Sequence, residues 1–345
     1  MTQSLHRALA LLLAAAAVAQ GTAALAADPP PVAVTVDNFV RAETDRYFGT
    51  VASIGFGKLF HYRDFVPLDK VRVVRVNRDT LYSVGLFDLD AGPVTVTLPD
   101  AGKRYLSLVA YNEDHEAAAA IYQPGSHTFS REQLGTRYAM LGVRILFDPA
   151  DAADRRQAHA LQDAIRTQQA ASGRFEAPAW DQAALKRLRE ALLELGRTLP
   201  DSRGMFGSRE QVAPVRRLIG AAMAWGGNRE ADALYLNVTP ERNDGNTVYR
   251  MRVAEVPVDA FWSVSVYDEG GWFKPNAYQA YSLNSLTARR GADGAVDIQF
   301  GGCDGKIPNC LPTPPGWNYM VRLYRARAEV LDGRWTFPQA QALPR

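Results

Sequence analysis

The chain has 345 residues, of which 47% are hydrophobic and 22% are charged, and 39 basic residues nearly balance 37 acidic ones. This composition is that of an ordinary globular protein and excludes wholesale disorder, a collagen-like repeat or a long coiled coil. The formal charge of +2 also argues against a nucleic-acid partner, because such proteins carry a marked basic excess.

The N-terminal segment, residues 1–26, has the pattern of a secretory signal. His6 and Arg7 form a basic head, an apolar run covers residues 8–19, and Ala24 and Ala26 supply the small residues that a signal peptidase requires. The run is shorter than the ~20 residues that span a membrane. We therefore predict cleavage near Ala26 and a periplasmic or secreted mature protein without a transmembrane segment.

Residues 27–150 are predicted to form an N-terminal β domain preceded by a helix. The helix is expected over residues 36–49, with Asp37 as its cap. Runs rich in β-branched residues, separated by turn residues, then predict strands. These strands cover residues 71–76, 84–89, 94–98, 105–111 and 138–147.

Residues 151–225 are predicted to form a helical connecting segment. Asp151 suits the cap of its first helix and Gly173 the stop. A second helix is expected from Asp181, with leucines on one face, and a third begins at Ser208 or closer to Pro214. The small residues of this segment are compatible with an interface between copies of the chain, so a homo-oligomer is an open alternative.

Residues 226–345 are predicted to form a C-terminal β domain. Its strands are expected over residues 233–238, 247–253, 261–267, 296–300 and 319–324. Strands, then helices, then strands predict an α+β, β-dominated fold rather than a doubly wound parallel sheet. We expect two antiparallel β-sandwich or jelly-roll-like units with the helical segment between them. The sequence shows no convincing internal repeat.

Two cysteines close a short loop near the C-terminus. Cys303 and Cys310 are separated by glycine, proline and asparagine residues that allow a sharp reversal. In an oxidising compartment this pair predicts a structural disulfide. Two cysteines without further ligands nearby do not predict a metal site.

The first polar cluster, residues 77–83, lies between two predicted strands. Arg78 could bind an anionic group, and Asp79 could act as a general base if burial raises its pKa. Tyr82 could relay a proton or stabilise an oxyanion, and Asn77 could contact a ligand. The alternative is a structural turn held by asparagine and aspartate side chains.

The second polar cluster contains His115, the strongest acid–base candidate among the histidines. On a continued strand, Glu113 shares the face of His115 and could orient its imidazole. Asp114 and Glu116 on the other face could instead bind a hard cation such as calcium. The structural alternative is an acidic loop in which the histidine is hydrogen-bonded locally.

Aromatic residues are frequent in the C-terminal part. Trp262, Trp272 and Trp317 are predicted ligand-binding residues, because tryptophans on loops stack on sugars and other flat molecules. The alternative is a sandwich core filled by aromatic side chains.

Several stretches resemble a pair of bacterial families. Residues 77–83 and 114–116 resemble the domain of unknown function 1254, and residues 226–228, 261–267 and 316–319 resemble its usual companion, the domain of unknown function 1214. The resemblance implies mostly β domains of jelly-roll type in an exported protein. It implies no agreed activity or catalytic residues, although some relatives carry hydrolase or esterase labels.

Two functions remain open on the sequence. The first is an exported hydrolase of a small ester, amide or sugar-linked substrate, with Asp79, His115, Arg78 and Tyr82 as catalytic residues. The second is a non-catalytic periplasmic binding or envelope protein that recognises glycan or lipid-derived ligands. The sequence identifies no cofactor, and it contains no G-x-S-x-G, H-E-x-x-H or P-loop motif.

Overall fold

The computed structural model describes residues 30–71 and 73–344. The predicted signal segment therefore lies outside the described residues. The first elements in chain order are helix α1 (Phe39–Gly55), strands β1 (Phe60–His61), β2 (Thr80–Asp88), β3 (Val94–Leu98), β4 (Leu106–Asn112) and β5 (Gly125–Phe129), helix α2 (Arg131–Leu134) and strand β6 (Tyr138–Leu146). The middle contains helix α3 (Ala152–Ala164), strand β7 (Arg166–Gln169), and helices α4 (Gln182–Gly196) and α5 (Pro214–Met223).

The C-terminal part is again mostly strands. They are β8 (Ala233–Val238), β9 (Tyr249–Val253), β10 (Trp262–Tyr267), β11 (Ser282–Asn284), β12 (Val296–Phe300), β13 (Cys310–Leu311), β14 (Asn318–Tyr324) and β15 (Gln341–Ala342), with helix α6 (Ala328–Leu331) between the last two. The described chain is thus α+β with more strand than helix, as predicted.

The N-terminal half is a sandwich of two antiparallel sheets. One sheet has the order β1-β2-β6-β4 and the other β5-β3-β7. Alternate residues of β6, among them Leu141 and Val143, pack with Val94 and Val96 of β3 in one buried cluster. The opposite face of β6 carries Met140, and this face is covered by other parts of the chain rather than by water. Burial on both faces explains why β6 is nearly continuously apolar.

The C-terminal half repeats this two-layer design. Its sheets have the orders β11-β10-β14-β8 and β13-β12-β9-β15, and all pairs are antiparallel except β12 with β13. Alternate residues of β10 and β14, such as Val264 and Val321, pack against Met251 and Ile298 of the second sheet. The other face of β14 points toward the N-terminal half.

Helices α1, α4 and α5 share a third buried cluster, which includes Phe39, Leu185 and Ile219. The Asp181 side chain accepts from two backbone amides and starts α4, as predicted. The third predicted helix begins at Pro214, where a proline in the first turn costs no hydrogen bond.

Three local predictions were wrong. Helix α1 begins at Phe39 after Asn38, so Asp37 is not its cap. The first helix of the middle segment is capped by Asp151 but ends at Ala164 instead of Gly173, because Arg166–Gln169 pairs as a strand with β3. The predicted strand over residues 71–76 is, where described, a loop. This loop approaches the C-terminal half, since the Arg75 backbone N–H donates to Gly271. No helix of the described residues is long and apolar enough to cross a membrane.

Candidate functional site

A cavity of about 330 Å³ lies where the two sandwiches meet. Strands β2 and β6 form one wall, strands β8 and β14 another, and helices α1 and α5 contribute further lining residues. Two loops complete it, residues 73–78 before β2 and residues 224–227 before β8. Its volume is in the range of small-molecule sites.

Arg144 brings a positive charge to this cavity from the middle of β6. Its residue exposure is 9%, and its Nη2 donates to Tyr111 Oη at 3.2 Å and to the Gly226 carbonyl at 2.8 Å. The Tyr111 hydroxyl donates to the same carbonyl at 2.7 Å. Nε and Nη1 of Arg144 have no hydrogen-bond acceptor among the described residues, so part of the guanidinium is available to a ligand.

Arg322 is the corresponding charge on β14, with 2% exposure. Its Nη2 donates to Tyr267 Oη at 2.7 Å and to the Arg75 carbonyl at 2.8 Å, and its Nη1 donates to Ser265 Oγ at 2.9 Å. The Arg75 side chain lies beside it, since both guanidiniums are within 5.9 Å of the centre of the Tyr267 ring.

The cavity is electrostatically unbalanced. Arg75, Arg78, Arg144 and Arg322 all line it, and within the described chain none of them has a carboxylate oxygen within 4.0 Å. Asp64 also lines the cavity, but its half-exposed carboxylate pairs with Arg155 at 2.8 Å. The buried carboxylate of Asp79 acts on Arg322 from a greater distance, so one negative charge is set against four positive ones. Buried guanidiniums in such excess are costly, and this arrangement favours an anion in the cavity.

Phenol and amide groups surround these charges. Asn77 Nδ2 donates to Tyr82 Oη at 3.1 Å and to Tyr324 Oη at 2.9 Å, which joins the two halves at the cavity wall. The remaining wall is largely apolar, with methionine, valine and aromatic side chains: Val51, Phe65, Met140, Met205, Met223, Trp225 and Met320. The site therefore suits a small molecule with an acidic group and an apolar body.

Two protein-family models match the chain. The family model described as a protein of unknown function (DUF1254) matches residues 56–130, and the one described as a protein of unknown function (DUF1214) matches residues 233–328. The chain carries both domains. The DUF1254 region contains β2 of the first cavity wall, and the DUF1214 region contains both strands of the second wall, β8 and β14. The cavity therefore lies where the two regions meet.

Two solved structures share the fold. The VPA0106 protein from Vibrio parahaemolyticus matches with a TM-score of 0.67 and 17% identity, over 90% of this chain and 98% of that one. An uncharacterised protein from Burkholderia cenocepacia matches with a TM-score of 0.53 and 13% identity, over 89% and 86% of the two chains. A search of curated protein sequences finds no match.

The cavity brings together three of the predicted site residues of this DUF1254–DUF1214 protein, Asn77, Arg78 and Tyr82. The Arg78 guanidinium lies 4.6 Å from the centre of the Phe65 ring, a position that keeps it at the cavity wall.

Asp79 is buried next to the cavity but is not among its lining residues. Its carboxylate accepts from Ser263 Oγ at 2.6 Å and from Asn284 Nδ2 at 3.3 Å. Burial raises the pKa of Asp79, while Arg322 and the two hydrogen bonds oppose that effect. The contacts link the DUF1254 half to the DUF1214 half, and the catalytic role of Asp79 stays a prediction.

His115 lies outside the cavity lining, stacked on Trp225 with ring centres 5.3 Å apart. Its Nε2 accepts the Gly226 N–H at 2.9 Å, and its Nδ1 has no partner. Burial, with a contribution from Arg217, lowers the pKa of His115 to about 3. The imidazole is therefore neutral, and it holds the loop whose carbonyl receives Arg144.

The acidic neighbours of His115 make structural contacts. Asp114 pairs with Arg41 at 2.7 Å, and Glu116 accepts from Asn112 Nδ2 at 3.0 Å. Glu113 accepts the backbone N–H of Tyr138. Among residues 30–71 and 73–344, no group of three or more His, Cys, Asp or Glu residues could hold a metal ion.

The three predicted tryptophans are dispersed. Trp262 and Trp317 lie in the core of the C-terminal sandwich, whereas Trp272 is 39% exposed on a loop. None of them lines the cavity between the halves. Cys303 and Cys310 form a disulfide, which confirms that prediction.

Arg144 and Arg322 were not predicted from the sequence. Each lies in an apolar strand, between Val143 and Ile145 or between Val321 and Leu323. A charged side chain in the middle of an apolar strand was the signal that could have revealed them. A buried charge is costly without a specific partner, so its presence there indicates a functional or structural contact.

A second hollow, of about 370 Å³, lies between β8 and the C-terminal segment. Its charged residues balance one another, as shown by Arg203 and Asp201 at 2.6 Å. It therefore lacks the unpaired guanidiniums that line the cavity between the halves. A third hollow contains Arg250, Arg289 and Arg290 but lies on one side of the C-terminal sandwich and has few apolar lining residues.

Proposed function

We propose that the protein is an exported binding protein for a small organic anion, held in the cavity between the two sandwiches. The observation that supports this is the set of four arginines at one largely apolar cavity, without a carboxylate partner in the described chain. Export rests on the predicted signal in residues 1–26. The alternative of recognition by aromatic loops has less support, because Trp262 and Trp317 are core residues.

The anion would take the place that a counter-ion occupies in an ordinary ion pair. Its acidic group accepts charge-assisted hydrogen bonds from the free donors of Arg144 or from Arg75 and Arg78, and its apolar body lies against Met140, Met223 and Trp225. Each such hydrogen bond contributes about 1.5–3 kcal/mol, which is enough for selection against a neutral molecule of the same shape.

The test uses mature protein beginning at Ala27 and calorimetric titration with matched pairs of ligands. Benzoate is compared with benzamide, and hexanoate with hexanamide. We expect only the acids to bind, and we expect Arg144→Gln to weaken that binding about 10- to 100-fold. Arg156→Gln, at an exposed arginine of helix α3 away from the cavity, is the matched control.

Two results would contradict the proposal. One is equal binding of acids and amides, and the other is the absence of binding by any anion of the set, including phosphate and sulfate. Circular dichroism of each variant separates loss of the site from loss of folding.

The hydrolase prediction can be tested with the same preparation. Asp79 and His115 are absent from the cavity lining, so a base acting directly on a ligand there has no support from the geometry. Turnover of an ester, amide and glycoside panel that falls about 100-fold in folded Asp79→Asn protein would reinstate that function.

A further inference from the structure

The two halves of the chain repeat one arrangement of strands. In the first half, β6 lies between β2 and β4, and β3 pairs with β5 in the second sheet. In the second half, β14 lies between β8 and β10, and β9 pairs with β12. The order of the strands along the chain is the same in both halves. The structure thus contains a repeat that is not apparent as a repeat in the sequence.

The cavity arginines occupy equivalent positions in this repeat. Strand pairing places a tyrosine and a serine directly opposite each arginine, on the two neighbouring strands. The rows are Tyr82–Arg144–Ser107 in the first half and Tyr235–Arg322–Ser263 in the second.

Each arginine is also held in the same way. We call the contact of Arg144 with Tyr111 and the Gly226 carbonyl the first clamp, and that of Arg322 with Tyr267 and the Arg75 carbonyl the second clamp. In both, the tyrosine accepts from the arginine and donates to a carbonyl of the same loop. The first clamp holds the loop that enters β8, and the second holds the loop that enters β2. Each half thus clamps the entry loop of the other half.

The entry loops share a motif as well. Residues 77–82 have the sequence NRDTLY, and residues 228–235 have NREADALY, so that Asp79 corresponds to Asp232. Asp79 accepts from Ser263 in the second half, and Asp232 accepts from the Tyr122 hydroxyl at 3.0 Å in the first half. Both carboxylates are buried.

Equivalent residues meet at the junction. Tyr105 precedes β4 and Phe261 precedes β10 at matching positions, and their ring centres lie 5.1 Å apart. Contact between equivalent residues is the mark of a local two-fold axis. The cavity lies at the junction that this axis relates, with one clamp from each half.

We propose that the ligand of this cavity carries two acidic groups, one received by Arg144 and the other by Arg322 together with Arg75. This rests on the anion-binding function proposed above and specifies its ligand as a small dicarboxylate or an equivalent dianion. Two equivalent positive sites on an apolar cavity match a molecule with an acid at each end and an apolar middle. A monoacid bound at Arg322 leaves the buried guanidinium of Arg144 without a counter-charge, and one bound at Arg144 leaves Arg322 with only the more distant carboxylate of Asp79.

The unused N–H donors of the arginines can serve two separate acidic groups. Arg144 uses only Nη2 for its contacts within the described chain, which leaves Nε and Nη1 for one acid. Nε of Arg322 has no acceptor in the described chain and is available to the other acid. Arg75 donates from Nη1 to Asn318 Oδ1 at 2.7 Å, so Nη2 and Nε of Arg75 are also available to that acid. Arg75 also has a positive φ of 53°, an unfavourable backbone conformation that places its carbonyl on Arg322.

The test is a titration of the wild-type mature protein with straight-chain α,ω-dicarboxylates from succinate to azelate, each beside the monocarboxylate of equal carbon number. At the best length we expect the diacid to bind at least about 10-fold more tightly than the monoacid. Arg144→Gln and Arg75→Gln should each weaken diacid binding more than monoacid binding, so that the advantage of the diacid falls below about 3-fold. Arg156→Gln, at an exposed arginine away from the cavity, should leave both affinities unchanged.

The outcomes distinguish the two levels of the proposal. If neither class of acid binds, the anion-binding function itself fails. If monoacids bind and no diacid binds better, that function stands and the two-acid inference is wrong. If one variant abolishes both classes equally, a single acid is shared by both arginines, which also overturns it. The comparison of chain lengths needs only the wild-type protein, so it decides the question even if a variant does not fold.

Discussion

Acid should destabilise the protein through His115. The pKa of this histidine is lowered to about 3, from an ordinary value of 6.5, by burial and by Arg217. Between these values the unfolded chain binds one proton more than the folded chain, so the free energy of unfolding falls as the pH decreases from 6.5 toward 3. The stabilisation is complete above pH 6.5.

The structure supplies both the reason and the magnitude. A second proton would place an N–H where Nε2 now accepts from Gly226, and Nδ1 already lacks a partner. With the two pKa values above, one site loses about 3 kcal/mol between pH 7.5 and pH 4. This is a large part of the net stability of a typical protein.

Other groups also change protonation between pH 3 and pH 6.5, and their effect on stability must be separated from that of His115. Burial raises the pKa of Asp45 to about 6, and protonation of that carboxyl favours the folded state as the pH falls through this value. The comparison is therefore between wild type and His115→Gln, in which an uncharged side-chain oxygen can accept the Gly226 N–H.

The assay is urea unfolding followed by tryptophan fluorescence at pH 7.5, 6, 5 and 4. We expect the stability difference between wild type and variant to shift by about 3 kcal/mol across this range, in favour of the variant at low pH. A difference that stays constant within about 0.5 kcal/mol would refute the buried neutral imidazole.

Three further predictions concern stability. Ser263→Ala removes a donor to buried Asp79 and should lower the free energy of unfolding by about 1–3 kcal/mol, whereas no change in the urea midpoint would contradict the bridge between the halves. Reducing the disulfide should cost about 2–3 kcal/mol, measured as a fall in melting temperature with a phosphine reductant, and an unchanged melting temperature in fully reduced protein would argue against it. Gly85→Ala in β2 should lower the free energy of unfolding by at least about 1–3 kcal/mol, because the new Cβ meets the carbonyl oxygen of Lys58. The control is Gly142→Ala in β6, where a Cβ has space and the urea midpoint should change little.

Local features of the fold were predictable because they depend on neighbouring residues. The alternation in Val94–Leu98, the caps Asp151 and Asp181, and the cysteine pair all act within one segment. The end of helix α3 was not predictable in this way, since the strand after it forms only because β3 offers an edge.

The candidate site depends on contacts between distant segments, and this limited the prediction of its residues. Asn77, Arg78 and Tyr82 were found because they cluster in sequence. Arg144 and Arg322 were missed because their partners are backbone carbonyls of remote loops, which leave no trace in the sequence around them. His115 was selected for its acidic neighbours, yet those carboxylates bind Arg41 and backbone groups instead.

The reciprocal clamps have a consequence for the history and the dissection of the chain. If the chain were cut between strand β7 and helix α4, each fragment would expose a guanidinium whose carbonyl partner belongs to the other fragment. Asp79 would lose the donors Ser263 and Asn284, and Asp232 would lose the Tyr122 hydroxyl while keeping Arg229. We therefore expect neither piece to fold alone, although the two family models treat them separately. The equivalent positions of the two clamps are the arrangement that fusion of two copies of one gene, in an ancestral homodimer, would leave in a single chain.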